Sequence, residues 1–302
     1  MLSGLVRVVP PEDITAVVNV GDDMVLHGLH ISPDLDTVMY TLAGMDNPDT
    51  GWGVAGETWT VMDELARLGG EDWFRLGDRD LATHLFRTGR LQAGDTLSTV
   101  TGELCARRGI TVRMLPVTDD PLRTRLTLAE ASPLGPSGTE VAFQDYFVRL
   151  RHDVAVRDVR FEGAASTRPA PGVTASLEQA DTIVVCPSNP VVSIGPLLSV
   201  PGVRDVLASR RTRVVAVSPI VAGAALKGPA DRLMTELGTE ASVVGVARLY
   251  APWVGTLVVD VADASLAAAV EAEGIRCTVA PTVMSSPDRA ADLARVVVDG
   301  AF

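Results

Sequence analysis

Lysine is almost missing from this sequence: Lys227 is the only one in 302 residues. Cysteine is nearly as scarce, and Cys105, Cys186 and Cys277 are far apart without metal-ligand spacing. They read as reduced thiols, which excludes a disulfide scaffold and a cysteine-bound zinc. No run of about 18 uninterrupted apolar residues occurs, so no membrane-spanning helix is expected. The opening Met1-Leu2-Ser3-Gly4-Leu5 lacks a charged leader ahead of an apolar run, and the cytoplasm is the expected compartment. Neither a Walker lysine pattern nor a G-x-G-x-x-G fingerprint is present, which removes the mechanical parts of P-loop and nicotinamide dinucleotide sites. His27, His30 and His152 show neither zinc spacing nor a serine-hydrolase elbow. Excess positive charge is absent too. A formal net charge of −12 argues against nucleic acid as a partner, because a phosphate-backbone binder needs a basic face.

What is present is a large apolar reserve: 47% of the residues are hydrophobic, enough for a substantial core. Ile14 to Val20 is an apolar run broken only by Thr15 and Asn19, the pattern of a strand buried on both faces. Ser32-Pro33 predicts an N-cap followed by proline at the first helical position, with Leu35, Val38, Met39 and Leu42 at helical spacing. Further helices are expected from about residue 57 to 68, from 78 to 89 and from 98 to 108. Between about 112 and 172 the pattern changes to short β-like runs, including 125–128 and 141–150, around a turn rich in proline, glycine and serine. This predicts a β-rich insertion. Strands then alternate with helical patterns, at 182–186, 213–218, 256–260 and 275–280. The expected fold is one α/β domain over 1–302, with a mainly parallel sheet and helices on both faces.

In an open parallel sheet, ligands bind outside the carboxyl ends of the strands. Three such ends here carry polar, small-residue turns: Gly21-Asp22-Asp23, Pro187-Ser188-Asn189-Pro190 leading to Gly195, and Ser218-Pro219-Ile220. Asp22, Asp23, Asp34 and Asp36 fall within 15 residues of one another. Hard carboxylate oxygens suit magnesium, yet the same acids can simply complement a helix N-terminus or solvate a turn. The loop from Ser188 to Gly195 can cradle phosphate on backbone amides, or can be an ordinary strand-to-helix turn. Arg75, Arg79 and His84 surround the start of the third predicted helix, where they can meet an anionic ligand or merely solvate a capped helix.

Taken together, these segments resemble the 2-phospho-L-lactate transferases, the CofD family of coenzyme F-420 biosynthesis. The matching stretches are Val17 to Asp23, Ile31 to Thr37, Leu76 to His84, Pro116 to Asp120, Phe143-Gln144-Asp145, Pro187 to Leu197 and Val217 to Ile220. The resemblance implies a Rossmann-like fold, commonly dimeric, and an enzyme that depends on Mg2+. It would move a 2-phospholactyl or enolpyruvyl-phosphate group from a guanosine diphosphate derivative to the ribityl hydroxyl of the deazaflavin 7,8-didemethyl-8-hydroxy-5-deazariboflavin, releasing GMP. By that resemblance Asp36 and Arg75 would contact the deazaflavin, with Asp34 beside them. Asp22 and Asp23 would lie by the metal and the diphosphate, Ser188, Asn189 and Gly195 would help hold the guanosine diphosphate part, and Ser218 is a further substrate-binding candidate. Asp22, Asp36 and Arg79 are the candidate catalytic groups. Asp36→Ala is expected to abolish transfer and leave the fold intact.

One departure stands out. Family members begin with a strand running into a G-G-x-G-G loop, whereas Met1 to Val6 resembles the back half of the helix that follows it. A start assigned too late and a degraded enzyme are the two expectations this raises. The competing reading is a YvcK-like sugar-nucleotide-binding regulator without catalysis. It shares the Asp-Asp turn, but here Met24-Val25-Leu26-His27-Gly28 replaces the glycine- and serine-rich continuation.

Overall fold

The computed structural model describes residues 1–48, 51 and 53–299. Its strands are β1 (Thr15–Val18), β2 (Met24–Leu26), β3 (Leu29–Ile31), β4 (Arg113–Pro116), β5 (Arg123–Leu128), β6 (Glu140–Ala142), β7 (Val156–Glu162), β8 (Ile183–Val185), β9 (Val214–Val217), β10 (Ile220–Val221), β11 (Ala224–Ala225), β12 (Thr256–Val259) and β13 (Arg276–Val279). The helices are α1 (Leu2–Leu5), α2 (Pro33–Leu42), α3 (Thr60–Arg67), α4 (Asp78–Gln92), α5 (Leu97–Arg107), α6 (Val173–Gln179), α7 (Gly195–Ser199), α8 (Val203–Ser209), α9 (Ala230–Glu236), α10 (Val243–Tyr250), α11 (Ala267–Ala272) and α12 (Pro287–Asp299).

The apolar runs pair in parallel, as their lack of alternation requires. β13, β12, β9 and β8 form one parallel sheet in that order, and β1 pairs in parallel with β4. Both faces of the larger sheet are covered. On β9, Val214 and Ala216 join the main core, while Val215 and Val217 pack on the opposite side with Leu293 and Val297 of α12. A strand with apolar side chains on both faces must be sandwiched, and this is the α/β architecture expected from the sequence. No single helix among the described residues is long and apolar enough to cross a membrane.

The β-rich insertion exists but starts later than its composition suggests. β4 instead pairs in parallel with β1, in register from Thr15 opposite Arg113 to Val18 opposite Pro116. The insertion proper is the antiparallel sheet β6-β5-β7. The run 141–150, expected to be extended, is a strand only through Ala142; Asp145–Arg149 coils into a π-helical turn. Its apolar residues have no strand partner to alternate against. Tyr146 and Leu150 instead close a small core with Leu126, Leu128, Val141, Val156, Val192 and Leu233, and the last two tie the insertion to the body.

A hairpin that the sequence pattern does not announce lies between β2 and β3. His27 and Gly28 both take positive φ, 52° and 75°, the conformation of a two-residue type I′ turn. The hairpin carries the chain from the acidic turn to α2, and so brings Asp23 and Ser32 together.

Candidate functional site

The acidic turn after β1, the helix after β8 and the insertion meet at one point. Gly21 sits so close to its neighbours that an added Cβ would lie 2.8 Å from both Pro196 Cβ and Thr124 Oγ1. Only glycine leaves room for that three-way approach. The Thr124 amide donates to the Gly21 carbonyl at 2.6 Å, which fastens β5 to the turn. Asn19 Nδ2 donates to Asp34 Oδ2 at 2.9 Å, and Asn19 Oδ1 accepts from the Gly21 amide at 2.8 Å, so α2 is tied in as well.

A cavity of about 390 Å3 opens at this junction. Asp22 and Asp23 line it from the sheet, and Glu71 and Trp73 from the segment before α4. Arg123, Thr124, Phe143, Gln144 and Arg149 line it from the insertion. Asp22 and Asp23 are 6% and 3% exposed. Asp23 Oδ2 accepts from Ser32 Oγ at 2.8 Å and lies 3.0 Å from His30 Nε2. The Ser32 hydroxyl is therefore spent on Asp23 and makes no cap hydrogen bond to α2, although Ser32 stands at the N-cap position. The other oxygen of each acid, Asp22 Oδ1 and Asp23 Oδ1, is buried with no hydrogen-bond partner among the described residues.

Burial, reinforced by the charges of Asp34 and Asp23, pushes the Asp22 carboxyl well above the usual carboxylate range. Asp34 is raised as well, by burial and by Asp23 against the hydrogen bond from Asn19. Buried carboxylates that repel one another and keep unused oxygens are the donor set a hard divalent cation takes. The residues present fit Mg2+, with Asp22 and Asp23 as the groups that would hold it.

The remaining candidates divide. Asp36 does not line the cavity. It is 4% exposed and faces α4, where the Arg87 guanidinium engages both of its oxygens. Burial pushes the Asp36 carboxyl up, and Arg87 and His84 pull it back. The carboxylates of Asp36 and Asp80 and the His84 ring come within 4.8 Å of one another, but Arg87 supplies the positive charge there. Arg75 points elsewhere, ion-paired to Asp63 at 2.6 Å with its guanidinium 5.1 Å from the centre of the Trp59 ring. Arg79 donates to the Ala55 carbonyl at 2.8 Å. Neither arginine lines the cavity.

Ser188, half-buried, follows β8. Asn189 Oδ1 caps the next turn by accepting from the Val191 and Val192 amides at 2.9 and 3.3 Å, and its Nδ2 is buried without a partner among the described residues. Gly195 lies against Phe161. Ser218 is used locally, its hydroxyl donating to the Ile220 carbonyl at 2.9 Å. Of the cavity residues, Arg123, Thr124, Trp73 and Arg149 carry no signal in the sequence. Gln144 has one, as the centre of Phe143-Gln144-Asp145.

Comparison with known proteins shows the family. A family model described as 2-phospho-L-lactate transferase CofD matches residues 1–285. The phosphoenolpyruvate transferase of Kitasatospora aureofaciens is 44% identical over 98% of this chain and 92% of its own length. That of Streptomyces griseus is 45% identical over 99% and 93%. That of Mycolicibacterium smegmatis is 40% identical over 95% and 88%. Among solved structures, a UPF0052 family member from Bacillus halodurans superposes with a TM-score of 0.58 at 15% identity, over 98% of this chain and 95% of that one, and shows a shared fold. At these identities, over nearly the whole length of the relatives, this chain belongs to the CofD family of transferases.

Proposed function

We propose that the protein transfers an enolpyruvyl-phosphate group from a guanosine diphosphate donor to the ribityl terminal hydroxyl of the deazaflavin 7,8-didemethyl-8-hydroxy-5-deazariboflavin, in coenzyme F-420 biosynthesis. The name phosphoenolpyruvate transferase, shared by several relatives, supports enolpyruvate over lactate as the three-carbon acid. In the reaction, the acceptor oxygen bonds to the phosphorus that carries the acid. The bond from that phosphorus to the bridging oxygen breaks, GMP leaves with the electron pair, and the hydroxyl proton is released.

The observation that carries this reading is the pair of buried, unpartnered carboxylate oxygens on Asp22 and Asp23 at one cavity wall. A magnesium ion held there would neutralise diphosphate charge as the bridging bond breaks. The chain's own residues do the positioning, since phosphoryl-type transfer passes through a loose transition state that asks mainly for alignment and charge balance. Arg123 and Arg149 bring cationic groups to the same cavity. Trp73 and Phe143 offer flat apolar walls for an aromatic acceptor. The loop from Ser188 to Gly195 stands next to the acidic turn through Pro196, and would receive the guanosine diphosphate part. Asp36, with both oxygens held by Arg87, is assigned to shaping α2 and not to accepting the hydroxyl proton.

Incubating the protein with deazaflavin, Mg2+ and either the enolpyruvyl or the lactyl guanosine diphosphate donor tests this. A product heavier by the enolpyruvyl-phosphate group, formed only with metal, is the expected result. No product from either donor ends the proposal.

A further inference from the structure

We infer that the insertion is part of the cation site: Thr124 supplies a third oxygen beside Asp22 and Asp23, and Gln144 positions the Asp22 carboxylate. The inference rests on the reading above, in which these two acids hold a divalent cation.

Thr124 is the wrong residue for a purely structural position. On β5 the inward face alternates as Thr124, Leu126 and Leu128, and the two leucines are fully buried in the insertion core. Thr124 continues that apolar face and is 1% exposed, yet its Oγ1 has no hydrogen-bond partner among the described residues. Burying a hydroxyl without a partner costs free energy that an isosteric valine would not. The hydroxyl is also placed where a ligand belongs. Thr124 lines the same cavity as Asp22 and Asp23, and among the described residues their Oδ1 atoms are likewise buried and unpartnered. The Thr124 amide is held on the Gly21 carbonyl at 2.6 Å, so this side chain cannot drift away from the acidic turn. Three buried oxygens without a partner among the described residues, on three residues that line one cavity, make an oxygen set of the kind hard cations take, with water and phosphate completing the shell.

Gln144 acts one step further out. It is 6% exposed, and its Nε2 stands 3.4 Å from Asp22 Oδ2, at the long limit of a hydrogen bond. This amide is the side-chain donor that reaches Asp22, and it does so from the insertion, 122 residues along the chain. Tightening that contact would occupy Oδ2 and leave Oδ1 as the oxygen free for a cation. Outer partners of this kind hold a ligating carboxylate in one orientation and raise metal affinity.

The test uses the full chain and the metal alone. Mn2+ binding, followed by the loss of the free-ion electron paramagnetic resonance signal, is compared across wild type, Thr124→Val, Thr124→Ser and Gln144→Leu, with Tm measured for each. Thr124→Val and Gln144→Leu should weaken Mn2+ binding by about 10- to 100-fold, the usual effect of losing such a partner, and Thr124→Ser should restore it. Metal-free Thr124→Val should melt no lower than wild type, because the hydroxyl has no protein partner to lose. Equal Mn2+ affinity in wild type and Thr124→Val overturns the inference. So does a wild type that binds no Mn2+, and so does a lower Tm in the metal-free valine variant. No substrate is present, so failure here is distinguishable from failure of the transfer reaction.

Discussion

Arg87 and Asp36, 51 residues apart, form a two-point ion pair between α4 and α2: Arg87 Nη1 lies 3.0 Å from Asp36 Oδ2, and Nη2 meets Oδ1. Both side chains are almost wholly buried. Around them Tyr40 Oη donates to Asp80 Oδ1 at 2.5 Å, and His84 Nε2 lies 3.2 Å from Asp80 Oδ2. Helical spacing explains the cluster. Asp36 and Tyr40 are four apart on α2, and Asp80, His84 and Arg87 follow at intervals of four and three on α4.

Removing one partner of this pair should therefore unfold more than it disables. Asp36→Ala leaves a buried guanidinium uncompensated, and Arg87→Met leaves a buried carboxylate. Either should cost about 3–5 kcal/mol of stability, while replacing both by apolar residues should cost much less. Chemical denaturation of the two single variants and the double variant checks this. It also replaces the expectation that Asp36→Ala spares the fold.

The same cluster predicts a pH dependence. Burial opposes the Asp80 charge, but His84 and the Tyr40 hydroxyl outweigh it and hold the carboxyl below its ordinary range. A carboxylate depressed in the folded state contributes stability above its unfolded pKa and loses it as pH falls through the folded one. Asp80→Asn should thus cost about 1 kcal/mol near neutrality, and the gap should close as pH falls below the ordinary carboxylate range. Melting curves of both proteins across that range would show a constant gap if the argument fails.

At the acidic turn the sign is opposite. Asp22 is buried among Asp23 and Asp34, so Asp22→Asn should stabilise the metal-free protein by about 1 kcal/mol by removing a repelled charge. Turnover should fall at least about 100-fold. Mg2+ should raise the Tm of wild type and leave that of the variant unchanged. Thermal scans with and without Mg2+ decide it.

Among the arginines, Arg123 lines the cavity, and the one side-chain hydrogen bond it makes among the described residues goes to the Leu122 carbonyl. With no carboxylate engaging it, Arg123→Ala should lower turnover by roughly 100-fold. Arg75, exposed and paired with Asp63, should tolerate alanine with less than about 1 kcal/mol lost and little change in rate. Steady-state rates of the two variants, side by side, separate these assignments.

The parallel strands were legible because continuous apolar runs such as Val214 to Val217 have no other stable use than a strand covered on both faces. Asp22 and Asp23 were legible as a strand-end turn. The 141–150 segment departs from its extended pattern because an apolar run says nothing about whether a neighbouring strand edge is there to receive it. Arg123 and Thr124 are hidden for a related reason: single polar residues in a strand carry no local mark of the distant cavity they line.

By itself the sequence determined the fold class, the acidic turn and the family, because these follow from periodicity and from motifs contiguous in the chain. Only the tertiary structure decided which acids face a cavity and which are spent on an arginine, since burial and pairing are properties of neighbours brought from far along the chain. Asp22 and Asp36 look alike on paper. A bend through β2 and β3 turns one towards open space and the other towards Arg87, and the chemistry available to each follows from that.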